Sequence, residues 1–173
     1  MKRTLALLVV LTAAVLLWAQ KPTPPAVDEK LPKEPPEQPI PFNHKVHVGT
    51  GAKCLDCHPI RGDGFQAGLP REATCMGCHA SVKKDSPHIQ KLAAFAKERK
   101  PVNWARIYQV PDYVWFSHAS HFTDAKISCD TCHGPVAERE VLAKEKPTNM
   151  FSCMQCHAKH GASNGCDFCH NTQ

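Results

Sequence analysis

Phe116-Ser117-His118-Ala119-Ser120-His121, then seven residues, then Cys129-Asp130-Thr131-Cys132-His133 is the stretch on which the reading of this chain turns. Its second half, Cys-x-x-Cys-His, recurs at Cys54–His58, Cys75–His79, Cys153–His157 and Cys166–His170, and the five copies use all 10 cysteines of the 173-residue chain. Two thiols three positions apart with an imidazole directly behind them match covalent c-type haem attachment. The thiols (Cys54, Cys57, Cys75, Cys78, Cys129, Cys132, Cys153, Cys156, Cys166 and Cys169) add across the porphyrin vinyl groups. The adjoining His58, His79, His133, His157 and His170 are then presented to iron as proximal ligands.

Two plainer readings explain less. A structural zinc site takes four ligands from paired motifs, and five single units do not divide into such pairs. A disulfide scaffold accommodates an even number of cysteines but gives the histidines no role. Five covalently bound haems are therefore expected.

The N-terminus suits that chemistry. Lys2 and Arg3 precede an apolar run from Leu5 to Ala19, broken by Thr12, so residues 1–20 read as a secretory signal. The run is shorter than the roughly 20 residues of a membrane-spanning helix. Leu17 and Trp18 make a poor cleavage site, so an uncleaved anchor stands as the second reading. Either way the expected location is periplasmic. Residues 21–41 hold eight prolines and little that is apolar, which predicts an extended linker, a tether if the leader stays and a free tail if it goes.

From residue 42 onward each haem has only about 26 residues around it, too few to enclose five macrocycles behind a conventional core. The haems themselves must fill the core, with the thioethers acting as staples. The predicted fold is mostly α with little regular secondary structure and no substantial β-sheet. One longer helix is expected, with Ser86 as N-cap, Pro87 in the first turn, and Ile89, Leu92, Ala93 and Ala96 at helical spacing until Pro101. Short helices are expected to carry several attachment motifs.

Six histidines lie outside those motifs: His44, His47, His88, His118, His121 and His160. Phe42-Asn-His-Lys-Val-His47 and Phe116-Ser-His-Ala-Ser-His121 each precede an attachment motif by six or seven residues, which makes Phe-x-His-x-x-His plus Cys-x-x-Cys-His an internal repeat. A histidine pair repeated in register ahead of a haem motif points to iron ligation.

With these elements the chain resembles the low-potential class III multihaem cytochromes c, the triheme and tetraheme periplasmic carriers and their pentahaem relatives. The resemblance implies that His44 completes the haem of His58 and His118 that of His133. By the same likeness His47 serves the haem of His79 and His121 that of His157. Residues 42–100 then form a diheme module and residues 101–173 a triheme module. His160 is the expected ligand for the haem of His170, and His88, in the first turn of the predicted helix, is a weaker candidate. Met76 and Met154 lie inside attachment loops and Met150 close to Cys153, so methionine ligation, which raises potential, is not expected.

The formal charge of +5 does not imply nucleic acid as a partner. Loss of Lys2 and Arg3 and the addition of ten propionates bring the holoprotein to about −2 oxidised and about −7 reduced. Basic clusters such as Lys97, Arg99 and Lys100 read as solvated faces, propionate neighbours or docking points for an acidic redox partner. Trp104, Tyr108, Tyr113, Trp115 and Phe116 read as porphyrin packing, with a quinone or docking surface as the sharper alternative.

Two functional classes follow. The first is an electron carrier passing electrons between redox proteins of a periplasmic chain, either free or as the haem subunit of a quinol-oxidising membrane complex. The second is a reductase with one open-site haem. Six spare histidines for five irons favour the carrier, with no catalytic residue and no small-molecule substrate.

Overall fold

In the computed structural model the described residues are 30–32 and 34–170. The leader and residues 21–29 and 33 of the proline-rich stretch lie outside them. No helix among the described residues is long and apolar enough to cross a membrane.

Each attachment motif lies on or at the end of a helix. In chain order the elements are α1 (His44–Gly49), α2 (Cys54–Cys57), α3 (Glu72–His79), α4 (Pro87–Glu98), a π-helical turn (Ala119–Asp124), α5 (Cys129–His133), a 3-10 turn (Val136–Glu138), α6 (Met150–His160) and α7 (Cys166–Cys169). Strands are absent among the described residues, and β pairing is limited to the isolated antiparallel bridges Ile60–Ala67 and Val114–His170. The expected helical, sheet-free architecture is the one observed.

Local sequence explains where the helices start. Asn43 is extended and its side chain accepts from the Val46 N–H (2.9 Å), opening α1, and Asn149 does the same for α6 through the Ser152 N–H (2.9 Å). Helix α4 begins behind Ser86 with Pro87 in its first turn, as expected, although the Ser86 side chain makes no capping bond. It stops at Glu98, before Pro101, because Arg99 turns left-handed (φ 53°) and the Lys100 N–H reaches back to the Phe95 carbonyl (3.0 Å).

Ile40, Leu92 and Val102 are the buried hydrophobic residues among those described, flanked by Met76, Ile89, Phe95 and Trp104. Ile40 comes from the end of the proline-rich stretch, which is therefore docked rather than free at that point. Gln38 grips the backbone of Ala105 from both ends of its amide (3.0 Å each), and Lys91 Nζ donates to the Pro39 carbonyl (2.8 Å). Leu92→Ala is expected to destabilise the holoprotein by about 2–4 kcal/mol, read from urea unfolding, since it opens a cavity where this segment meets α4. A smaller loss than that of a surface leucine such as Leu55 would show that this cluster does not hold the N-terminal half together.

The two repeats hold one another. The Lys45 N–H, in α1 of the first repeat, donates to the Arg139 carbonyl behind α5 of the second (3.0 Å). In the opposite direction the Ala119 N–H donates to the Gly64 carbonyl (3.0 Å), and His118 leans on the Phe65 carbonyl. The loop behind the first attachment motif thus seats the histidine pair of the second repeat, while the loop behind the third motif seats that of the first.

Candidate haem sites

Helical spacing brings the two thiols of each motif to one side, because residues three apart on a helix are neighbours. The histidine follows on the same turn: the His58 N–H donates to the Cys54 carbonyl (2.8 Å) and the His170 N–H to that of Cys166 (2.9 Å). All ten cysteines are free of disulfides. Burial pushes the thiols of Cys57, Cys75, Cys129, Cys132 and Cys153 up, keeping them protonated and sluggish toward oxidation before they are used.

Four pairs of imidazoles face each other. His44 and His58 have ring centres 6.4 Å apart and planes 11° from parallel, and the equivalent pair of the second repeat, His118 and His133, shows 6.4 Å and 10°. His47 lies 6.1 Å from His79 at 64°, and His121 lies 6.0 Å from His157 at 25°. Two imidazoles bonded to one metal through nitrogens about 2.0 Å away have ring centres about 6.4 Å apart, so this spacing fits an iron between each pair. His88 and His160 are exposed and touch no other ring among the described residues. His160, expected opposite His170, is not brought to it; the ring nearest His170 is Tyr113.

The second nitrogen of most rings is tied to the backbone. Nδ1 of His47 donates to the Asn43 carbonyl (2.7 Å), His58 to Gly68 (2.8 Å), His79 to Val82 (3.0 Å), His118 to Phe65 (2.7 Å), His121 to Ser117 (2.8 Å) and His157 to Ser163 (2.7 Å). A carbonyl can only accept, so Nδ1 carries the hydrogen and the Nε2 lone pair is left for a metal. His133 and His170 show no such bond among the described residues, and in His44 Nδ1 is buried and unpartnered. Burial first, then His58 and His47, lower its pKa to about 4, which keeps the ring neutral and ligand-competent. Burial, followed by His118 and His58, lowers His133 as well.

The phenylalanine of each repeat wedges between its two histidines. Phe42 meets His44 edge-on (4.7 Å, 79°) and stacks on His47 (4.3 Å, 18°), while Phe116 meets His118 at 4.8 Å and 87° and His121 at 4.6 Å and 26°. The aromatic run disperses rather than forming one patch. Trp104 packs on the small core, Trp115 stands edge-on to Phe65 (5.8 Å), and Tyr108 stands edge-on to His133 (4.6 Å).

Sequence reasoning missed the clamp that Tyr108 forms. Its hydroxyl donates to the His133 carbonyl (3.3 Å) and accepts from the Glu145 and Lys146 N–H groups (2.9 and 3.2 Å), while Glu145 is fixed by a two-pronged pair with Arg139 (2.9 Å at its outer prong). The carbonyls of Gly68, Val82, Phe65 and Ser163 were likewise unforeseen, since any residue supplies a carbonyl.

Attachment motifs on short helices, paired imidazoles and a core too small to stand alone are the architecture of a multihaem c-type cytochrome. Residues 114–172 match the family described as "Cytochrome c7 and related cytochrome c". Over 161 residues, 78% of this chain and 77% of the relative, the sequence is 37% identical to "Menaquinone reductase, multiheme cytochrome c subunit" of Nitratidesulfovibrio vulgaris. The chain belongs to the low-potential multihaem cytochrome c family, whose work is electron transfer.

Proposed function

We propose that this chain is a periplasmic five-haem electron carrier that works with a quinone-linked membrane complex. The observation that carries the reading is the set of four imidazole pairs at iron-bridging separation, one behind each of four attachment motifs. The quinone link rests on the printed name of the relative. His58, His79, His133, His157 and His170 are the proximal ligands, and His44, His47, His118 and His121 the distal ligands of the first four.

Each haem, when bound, supplies a one-electron couple. The chain sets the order in which these couples meet. The Cys75 thiol feels Cys57, the Cys129 thiol feels Cys54, Cys132 feels Cys156 and Cys153, and Cys153 feels Cys169, each after the effect of burial. His133 also senses His58 across the junction of the repeats. The attachment sites therefore line up as those of His79, His58, His133, His157 and His170. Carbonyl-bound Nδ1 groups and the Phe42 and Phe116 wedges hold the rings still, so little reorganisation accompanies a change of charge. Bis-imidazole ligation keeps the potentials low.

Maturation in a host with a cytochrome c assembly system tests this. Intact mass is expected to show five covalent haems, and a redox titration several overlapping low-potential steps. Fewer than five haems would remove the basis of the proposal.

A further inference from the structure

The backbone treats the four facing pairs of imidazoles unequally. In two pairs both rings donate Nδ1–H to a carbonyl: His47 to Asn43 (2.7 Å) with His79 to Val82 (3.0 Å), and His121 to Ser117 (2.8 Å) with His157 to Ser163 (2.7 Å). The other two pairs have one tied ring each. His58 donates to Gly68 (2.8 Å), but Nδ1 of His44 opposite it is buried and unpartnered. His118 donates to Phe65 (2.7 Å), but His133 opposite it has no Nδ1 acceptor among the described residues. Tyr108, edge-on to His133 at 4.6 Å, does not serve, because its hydroxyl is committed to the His133 carbonyl and to the Glu145 and Lys146 N–H groups.

The two half-tied pairs are neighbours. They meet where the repeats join, held by the Ala119 N–H on the Gly64 carbonyl and the Lys45 N–H on the Arg139 carbonyl (3.0 Å each). The fully tied pairs flank them, that of His79 on one side and that of His157 on the other. A ring that donates Nδ1–H to a carbonyl is a more basic ligand through Nε2, which favours ferric over ferrous iron and lowers the potential. A ring without an acceptor lacks that push. Burial of the His44 ring acts in the same direction, since a low-dielectric setting disfavours the extra positive charge of the ferric state.

We propose that, of the four paired haems, the two at the junction of the repeats, those of His58 and His133, have the higher potentials because His44 and His133 lack an Nδ1 acceptor, so that an electron arriving from either flank comes to rest at the centre. Each reduction takes one ferric iron to ferrous with one electron from a redox partner; no bond is made or broken and every Nδ1 keeps its hydrogen. Position in the row would give another order. The site of His157 lies between those of His133 and His170 and has a neighbour on both sides, as the junction sites do, yet both its rings are tied. The inference rests on the five-haem reading, and intact mass separates the two: a failed haem count removes that reading, whereas the order of reduction in five-haem protein addresses the ring bonds alone.

Two-dimensional exchange NMR of the five-haem holoprotein, reduced stepwise with dithionite, follows the methyl groups of each haem through the titration. Among the paired haems, those of His58 and His133 are expected to carry the first electron about tenfold more often than those of His79 and His157, a gap of about 59 mV for a one-electron couple. In the fully reduced protein moved to deuterium oxide, the His157 Nδ1–H should outlast that of His133. If the haem of His157 is reduced together with the junction pair, ahead of that of His79, place in the row sets the order and the proposal fails. It fails equally if the flanking haems are reduced first, or if the His133 Nδ1–H is as protected as that of His157.

Discussion

His118→Ala is expected to leave five haems covalently attached while turning one of them from low-spin to high-spin, visible in the oxidised electron paramagnetic resonance spectrum and reversed by added imidazole. On the proposed five-haem reading, attachment depends on Cys129 and Cys132, which the substitution does not touch. The His118 ring stands 6.4 Å from His133 and within 10° of parallel, so its removal takes away the imidazole facing that proximal ligand. It also removes the stronger of the two His118 donors to the Phe65 carbonyl, the ring Nδ1–H (2.7 Å), and leaves the backbone N–H (3.4 Å) in place. Loss of that bond adds about 1 kcal/mol of destabilisation. His44→Ala, which removes the equivalent ring facing His58, is expected to give the same spin change without that second loss, since Nδ1 of His44 has no partner. The two variants should therefore match in spectrum and differ in stability. Unchanged spin state in both would refute the ligand pairs.

The difference between these two histidines marks the boundary of what the sequence makes legible. Attachment motifs are readable because thioether chemistry demands a fixed spacing of particular residues, and the pairing of His44 with His58 and of His118 with His133 is what the resemblance to the class III cytochromes implies for a repeated Phe-x-His-x-x-His. Helix α4 is readable because Ser86, Pro87 and the spacing of Ile89 and Leu92 all state the same period. What steadies the rings is written in carbonyls, which every residue has, and so Phe65 and Gly68 carry no signal. Ile40 escapes notice for a related reason: one apolar residue among prolines looks like a tail, and its burial depends on Gln38 finding the backbone of Ala105, 67 positions away. Tyr113 sits in an aromatic run whose members go to different places. Its partner His170 is chosen by a single bridge at Val114 that no periodicity announces.

Gly64→Ala is expected to cost about 2–5 kcal/mol in the holoprotein, while Gly62→Ala, two residues earlier in the same loop, costs only about 1 kcal/mol. Both glycines are left-handed (φ 76° and 62°), so both substitutions carry the backbone strain of a side chain in that region. Space separates them. A Cβ on Gly62 meets nothing within 4 Å, whereas one on Gly64 runs into the Cβ of Ala119, a short branch on the π-helical turn that cannot swing aside. Relief requires the turn to withdraw from the loop, and the turn holds the histidine pair of the second repeat. The Ala119–Gly64 and His118–Phe65 hydrogen bonds would stretch together, so Gly64→Ala should weaken the low-spin character of the haem paired with His118 and His133 as well as the fold. Urea unfolding of the two variants, followed in the visible spectrum, measures the difference. If Gly64→Ala costs no more than Gly62→Ala, backbone strain accounts for both and the loop does not clamp the second repeat; if it costs more and the spin state shifts with it, the loop behind the first attachment motif positions the imidazole of a haem carried by the other half of the chain.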